Sequence, residues 1–419
     1  MRILVVTQYF WPENFRINDL VSGLLERGNS VTVLTGIPNY PEGSFFHGYG
    51  FFRKTSQEYH GAKVVRVPLI PRGNGSGVKL ALNYLSFVLS VCFLAPFRCR
   101  EQYDLIFIFE PSPVTVALPA LFLKFLHKIP IMFWVQDLWP ESLSATGAVT
   151  SRRILDVVAG VVRFIYRNCD KILITSRSFR QSIERHDGAP ENIIYFPQSA
   201  EDIFHPIVET QTLAACNSIP PGFWIMFAGN IGTAQDFQTL IATAEKLKEH
   251  RDIHWVIVGD GRMREWAESE VKTRGLNDNF HFLGRHPLET MPAFYSHADA
   301  LLVTLKKEPI FALTIPAKIQ SYLACGRPVI AALDGEGARI VEEAGAGITC
   351  PAESADALCN AILKMYKTPK IEREKMGMSG RRYYEANFDR DMLLDKLYQW
   401  MKELVADCDR SRPHYANNK

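Results

Sequence analysis

The chain has 419 residues, too many for one ordinary hydrophobic core, so two domains are the first expectation. Hydrophobic residues make up 47% and charged residues 22%, which excludes a disordered chain. A formal net charge of +2 excludes the strong basic field that nucleic-acid binding exploits, so no nucleic-acid partner is expected.

Taken in order, short apolar runs alternate with amphipathic stretches. Ile3–Val6, Val31–Leu34, Lys63–Val67, Leu105–Phe109, Ile131–Val135, Lys171–Thr175 and Ile193–Phe196 read as buried parallel strands. Helical patterns such as Ile17–Arg27 and Arg152–Arg167 separate them. The first run is too short for a signal peptide and turns polar by Thr7. Residues Pro197–Pro221 lose the period and read as a linker. Alternation resumes with Phe223–Ala228, His254–Gly259, Phe280–Leu283, Ala300–Val303 and Pro328–Ala332. After Tyr366 the pattern is helical to about Val405, and Asp409–Lys419 is a polar tail. The expected fold is therefore α/β, with two Rossmann-like domains facing across a cleft. Their boundaries fall at 1–200, a linker 201–221, and 222–385, followed by a helix 386–405 and a tail 406–419. Open α/β sheets bind ligands beyond their strand carboxyl ends, so the site is expected between the halves.

Eight cysteines occur, none in a Cys-x-x-Cys pair and none spaced from a histidine as in a zinc site. They read as reduced, buried thiols, which suggests the cytoplasm. No strand-end Asp-x-Asp is present to hold a divalent ion on a diphosphate, so neither a metal nor another cofactor is expected.

Three glycine turns in the second half carry the chemistry. The segment Phe227-Ala-Gly-Asn-Ile-Gly-Thr-Ala-Gln-Asp236 leaves a strand and enters a helix, and Gly229 and Gly232 permit close backbone approach. The helix that follows offers free N–H groups to a phosphate. Val258-Gly-Asp-Gly261 and Asp334-Gly-Glu-Gly337 repeat the arrangement, the last opening a helix Ala338–Ala344. Each turn alone is equally an ordinary strand-to-helix connection. None is a Gly-x-Gly-x-x-Gly fingerprint or a Gly-x-x-x-x-Gly-Lys loop, which disfavours dinucleotide enzymes and P-loop ATPases.

Four further segments complete a pattern: Val256-Ile-Val-Gly-Asp-Gly, Phe282-Leu-Gly-Arg-His-Pro, Met291-Pro-Ala-Phe-Tyr-Ser-His-Ala-Asp and Leu323-Ala-Cys-Gly-Arg-Pro-Val-Ile. With Gln8-Tyr-Phe-Trp-Pro-Glu-Asn-Phe-Arg16, Gly36-Ile-Pro-Asn-Tyr-Pro41 and Val135-Gln-Asp-Leu-Trp-Pro-Glu-Ser142, the chain resembles retaining family 4 glycosyltransferases of the GT-B architecture. It is most similar to a branch that includes O-antigen and capsule L-fucosamine transferases. That resemblance implies a UDP-sugar donor, with N-acetyl-L-fucosamine as the sugar the branch suggests, and a polyprenyl-diphosphate-linked acceptor. It implies an enzyme peripheral at the inner face of the cell membrane, and a last helix, about Met392–Val405, that crosses back to the first domain.

The departures from the family bear on the site. Many relatives carry two glutamates eight residues apart on the donor; here those positions are Leu313 and Ser321. Their diphosphate-binding Arg and Lys are replaced by Asn230 and by Gln235 or Asp236, and a histidine after the fifth strand by Gln136-Asp137. A departing diphosphate needs a cation or hydrogen-bond donors, and the resemblance places Lys318 there, with Asn230, Gln235 and backbone amides beside it. Ser321, Glu336 and Arg339 complete the expected donor set, and Arg285 stands where the nucleobase is expected. A plain surface role for Lys318 is the competing reading. Asp137 and Glu141 follow a strand end, where carboxylates can bind an acceptor hydroxyl or act as a base; capping the next helix is the alternative. Glu13 and Arg16 carry the same ambiguity on the acceptor side.

Val78–Phe97 holds 15 hydrophobic residues among 20, interrupted by Lys79, Asn83, Ser86, Ser90 and Pro96. Arg72, Lys79, Arg98 and Arg100 flank it, and a second apolar helix, Val114–Leu126, ends near Lys124 and Lys128. A surface-lying membrane helix is expected, with a buried sheet-packing helix as the alternative. Two other functions stay open: a GT-B nucleotide-sugar epimerase and a catalytically inactive GT-B scaffold.

Overall fold

A computed structural model describes residues 1–73, 76–145, 147, 149–207 and 213–411. The chain divides into two compact units, residues 1–197 with 391–419, and residues 198–390.

The first unit holds strands β1 (Arg2–Val6), β2 (Ser30–Gly36), β3 (Ser56–Tyr59), β4 (Ala62–Val67), β5 (Leu105–Glu110), β6 (Ile131–Val135), β7 (Lys171–Ile174) and β8 (Ile193–Tyr195). They form one sheet in the order β3-β4-β2-β1-β5-β6-β7-β8. All neighbours are parallel except β3 with β4. Every residue of β5 and β6 is buried, because helices cover both faces of a parallel sheet. The chain order reverses at β1, between β2 and β5, and β5 and β6 carry Glu110 and the Gln136-Asp137 turn at their carboxyl ends.

Strands β9 (Phe223–Ala228), β10 (Ile253–Val258), β11 (Phe280–Gly284), β12 (Ala300–Thr304), β13 (Val329–Ala332) and β14 (Gly347–Cys350) build the second unit. Its sheet, ordered β11-β10-β9-β12-β13-β14, is wholly parallel, with the reversal at β9.

The segment read as a linker belongs to the second unit. Ala200, Phe204, Cys216 and Ile219 are buried in its core, while residues 208–212 lie outside the described residues. Single apolar anchors without a period hold it there. The helical stretch after Tyr366 is two helices, Lys370–Asn387 and Arg390–Ser411. The second packs Leu393, Leu397 and Met401 into the first unit's core, and Arg27 pairs with Asp391 and Asp395 at 3.2 and 2.8 Å. The helix therefore runs through Asp409–Ser411, and the rest of the expected tail, 412–419, lies outside the described residues. None of the eight cysteines takes part in a disulfide.

Candidate functional site

In the second unit the first two glycine turns pack on each other. Gly229 has φ 131° and Gly259 φ 141°, both in the region that favours glycine. A Cβ at Gly259 would stand 1.9 Å from the Gly229 carbonyl oxygen. The Gly229 N–H donates to Val258 O at 2.8 Å and the Ile231 N–H to Asp260 O at 2.9 Å, which joins the turns through backbone alone. Asp236, at φ 46°, caps the helix Phe237–Lys246 by accepting from the Thr239 N–H at 3.3 Å.

Lys318 enters this site from the first turn of the helix Ala317–Ala324. Its Nζ donates to Gln235 Oε1 at 2.7 Å and lies 3.4 Å from the centre of the Phe227 ring. A Cβ at Gly229 would meet its Cε at 3.0 Å. Part of the residue reaches solvent, but the surroundings of the ammonium are dense, and desolvation pushes its pKa well below the ordinary lysine value. Its partners are a neutral amide and a ring face, so an arriving diphosphate would supply the missing counter-charge.

The other expected donor residues divide. Asn230 is exposed at the mouth of the first turn, and Gly232 is buried beneath its side chain. Arg285 is exposed just past β11. Ser321 is buried, and its hydroxyl donates back to Ala317 O at 3.4 Å, so it is used by its own helix. Arg339 is also committed. It holds Glu336 through two bonds of 2.7 and 3.0 Å and pairs with Glu343 as well. Those carboxylates raise its pKa and take up its charge, so Glu336 and Arg339 brace each other instead of presenting a free cation. The helix they start begins at Glu336, two residues before the expected Ala338.

Two cations escaped the sequence reading. Arg262 follows the second turn and donates to Thr233 Oγ1 of the first at 2.7 Å. Lys306 donates its N–H to Ala234 O at 3.0 Å and lines a cavity of about 400 Å³ with Leu305, Phe311, Ala312, Leu333 and Asp334. A basic residue directly after Gly-Asp-Gly was the available signal for Arg262.

In the first unit, Glu13 is buried, and the carboxylate is spent on the backbone. Oε1 accepts the N–H groups of Asn39 and Tyr40, both at 2.8 Å, and Oε2 accepts that of Phe10 at 3.2 Å. It ties the Gly36–Pro41 loop to the loop after β1, which replaces the expected acceptor role with a structural one. Burial lifts its pKa to about 7 against the pull of those three donors. Arg16 is half-buried at the start of the helix Ile17–Glu26.

Asp137 lies just past β6, half-buried, and accepts from the Ser142 hydroxyl. Burial raises its pKa, opposed by the Ser142 hydroxyl. Glu141 opens the short helix Glu141–Ala145 and accepts from Ser182, with His186 Nδ1 4.0 Å away. The first unit thus brings Asp137 within electrostatic reach of Glu141, while Glu13 serves backbone amides. Among the described residues no group of three or more His, Cys, Asp or Glu is placed to hold a metal ion.

This architecture is shared with solved glycosyltransferases. A sucrose-phosphate synthase from Thermosynechococcus elongatus superposes with a TM-score of 0.75 at 20% identity, covering 97% of this chain and 99% of that one. HepE of Anabaena, solved in complex with UDP, gives a TM-score of 0.71 at 15% identity over 96% of this chain and all of its own. The model of a glycosyl transferase 4-like domain matches residues 14–198, and that of glycosyl transferases group 1 matches residues 222–368. The chain is a glycosyltransferase of the GT-B fold. The glycosyltransferase is 26% identical over 415 residues to glycosyl transferase WcaI of Escherichia coli (strain K12), covering 94% of this chain and 98% of that protein. The two matched models meet the two units separately, with residues 199–221 between them.

Proposed function

We propose that the protein transfers a sugar from a UDP-sugar to a polyprenyl-diphosphate-linked acceptor, at the cytoplasmic face of a membrane, in bacterial surface polysaccharide synthesis. One observation carries the donor half of this reading. A desolvated lysine, Lys318, faces a glycine turn with only neutral partners, which is an arrangement suited to a diphosphate. The solved HepE complex contains UDP, and the name of WcaI places that protein in colanic acid biosynthesis; both support the reading. N-acetyl-L-fucosamine is the sugar that the sequence resemblance favours.

The proposed reaction retains anomeric configuration by front-face attack. The acceptor oxygen bonds to the anomeric carbon as the bond to the UDP oxygen breaks. The acceptor proton passes to the donor phosphate, and Lys318 and the turn amides stabilise the charge that develops there. This route needs no carboxylate nucleophile, so Leu313 and Ser321 in place of the glutamate pair are compatible with it. Asp137 positions the acceptor hydroxyl, an orientation effect of several kcal/mol.

The membrane half rests on an apolar surface. The helix Gly77–Arg98 is long and apolar enough to span a bilayer by length and composition, yet it buries Asn83, Phe87, Val91 and Ala95 against its own unit. Asn83 accepts from Gln8 Nε2 at 2.6 Å and donates to Ile70 O at 2.6 Å, so this polar interruption locks the helix down. Its other side exposes Leu85, Leu89, Phe93 and Phe97. The helix Ala117–His127 packs beside it and exposes Phe122 and Phe125; the helix Arg152–Asn168 packs beside that one and exposes Val157 and Phe164. Lys79, Arg100, Lys128, Arg152 and Arg153 are exposed on or next to these helices. Arg72, Arg98 and Lys124 turn inward, to Tyr9, Arg66 O and Asp170. Apolar helices with basic ends suit an anionic bilayer surface, and such a surface favours transfer to a lipid over epimerisation.

A thermal-shift panel of UDP-, GDP- and TDP-sugars tests the donor. Binding to the native state alone adds about 2.7 kcal/mol at a hundredfold excess over Kd. A rise with a UDP-sugar is expected; a rise only with GDP- or TDP-sugars would overturn the nucleotide assignment.

A further inference from the structure

Three acids meet at the carboxyl ends of β5 and β6, and the innermost, Glu110, has no role in the reaction described so far. Glu110 ends β5 and is 0% exposed. The parallel register sets it beside Val135, so its backbone oxygen accepts the Gln136 N–H at 3.2 Å and its side chain lies at the 136–137 turn. Its Oε2 accepts the Asp137 N–H at 3.4 Å, and its buried Oε1 has no hydrogen-bond partner among the described residues.

Asp137 is in the opposite situation. It is half-buried and accepts from the Ser142 hydroxyl. Glu141 is held to one side by Ser182 and His186. Two phenols complete the surroundings. Tyr166, from the helix Arg152–Asn168, is buried among these acids, and its hydroxyl likewise has no partner among the described residues. Tyr84, from the helix Gly77–Arg98, lies within electrostatic reach of Arg72, Asp137 and Glu110.

We infer that Glu110 and Asp137 form an acid pair holding a single proton, kept on Glu110 so that the negative charge sits on Asp137. This rests on the reading of Asp137 as the carboxylate that positions the acceptor. Two carboxyls in one buried site cannot both ionise at low cost, and the proton stays where the anion has the fewest donors. The Ser142 hydroxyl and the solvent reached by half-buried Asp137 stabilise an anion there; one long amide contact serves the fully buried Glu110. Burial and the Asp137 charge both hold the Glu110 carboxyl well above its ordinary value, which agrees with that division. Glu110 is thus a positioning residue. It fixes the Asp137 N–H, and by staying neutral it leaves Asp137 as the pair's hydrogen-bond acceptor for an incoming hydroxyl.

Infrared difference spectroscopy of the full-length protein against pH tests this directly. A neutral carboxylic acid has a carbonyl stretch distinct from that of a carboxylate. The wild type should keep such a band above the range near pH 7 where Glu13 titrates, and Glu110→Gln should lack it there. Should Glu110→Gln fail to fold, Asp137→Asn gives the second measurement. Removing the neighbouring charge should make the Glu110 band titrate away at lower pH than in the wild type. A band unchanged by Glu110→Gln, or one whose titration Asp137→Asn leaves in place, would overturn the pair. Turnover of Asp137→Asn, with a labelled UDP-sugar and membranes, separates the two claims. A moved band with undiminished turnover keeps the pair and removes the acceptor role; lost turnover with an unmoved band does the reverse.

Discussion

Lys318 Nζ donates to Gln235 Oε1 at 2.7 Å, bridging the helix Ala317–Ala324 to the turn that follows β9. The family's usual Lys and Arg are absent from that turn, and in the proposed reaction Lys318 supplies the cation from the facing helix. Lys318→Ala should lower kcat/KM by about 10²–10³, as loss of one preorganised charge-stabilising donor does elsewhere. It should leave the unfolding transition close to that of the wild type, because the ammonium is desolvated without a counter-charge. Steady-state kinetics beside a denaturant melt check this, and near-normal turnover would remove Lys318 from the mechanism.

The contact between the two glycine turns gives a second prediction. Gly259→Ala places a methyl group 1.9 Å from the Gly229 oxygen, at a φ of 141° that L residues rarely adopt. The turns must move apart, at roughly 1–3 kcal/mol. UDP affinity, read by calorimetry, should fall with that movement. Retained affinity in a destabilised protein would place the diphosphate elsewhere.

Much of this was legible in the sequence, and the misses share a cause. The strands at the sheet centres are continuous apolar runs and announce themselves. The edge strands β3, Ser-Gln-Glu-Tyr, and β14, Gly-Ile-Thr-Cys, do not, because a half-exposed edge needs no apolar run. The glycine turns were visible because backbone contact leaves room for little else. The partners of charged residues were not. Nothing in the spacing shows that Glu13 is saturated by backbone amides or that Glu336 and Glu343 claim Arg339. Glu110 was hidden at the end of the run Leu105–Phe109, where an acid closing a buried strand was the signal.

Glu13 predicts a pH dependence of stability. Its native pKa is raised from 4.5 to about 7, so between those values the unfolded chain has released a proton that the native state keeps. Stability from this group is full below the unfolded value, falls as pH rises through the window and levels off above about 7, a loss of roughly 3 kcal/mol in all. Urea melts from acid to mildly alkaline pH should show this slope. Glu13→Gln should make the slope shallower, leaving the share that protonated Glu110 contributes, at a constant cost from setting an amide N–H₂ against the Phe10 N–H. Identical slopes in the two proteins would contradict the assignment.

The apolar helices predict bilayer binding. Phe93 and Leu89 are 71% and 57% exposed, so replacing both with glutamate should change stability by no more than about 0.5 kcal/mol. On a bilayer each contributes about 1.5–3 kcal/mol when withdrawn from water, so the pair should weaken binding more than about a hundredfold. Co-sedimentation with anionic vesicles reads this out. Equal binding by the variant would place the membrane contact elsewhere or remove it.

The most direct test of the account is product analysis with the purified protein, radiolabelled UDP-sugars and bacterial membranes. The account predicts label in the lipid fraction, joined through an anomeric centre with the donor's configuration. Label recovered only as an isomerised nucleotide sugar, or no product with any donor, would contradict it.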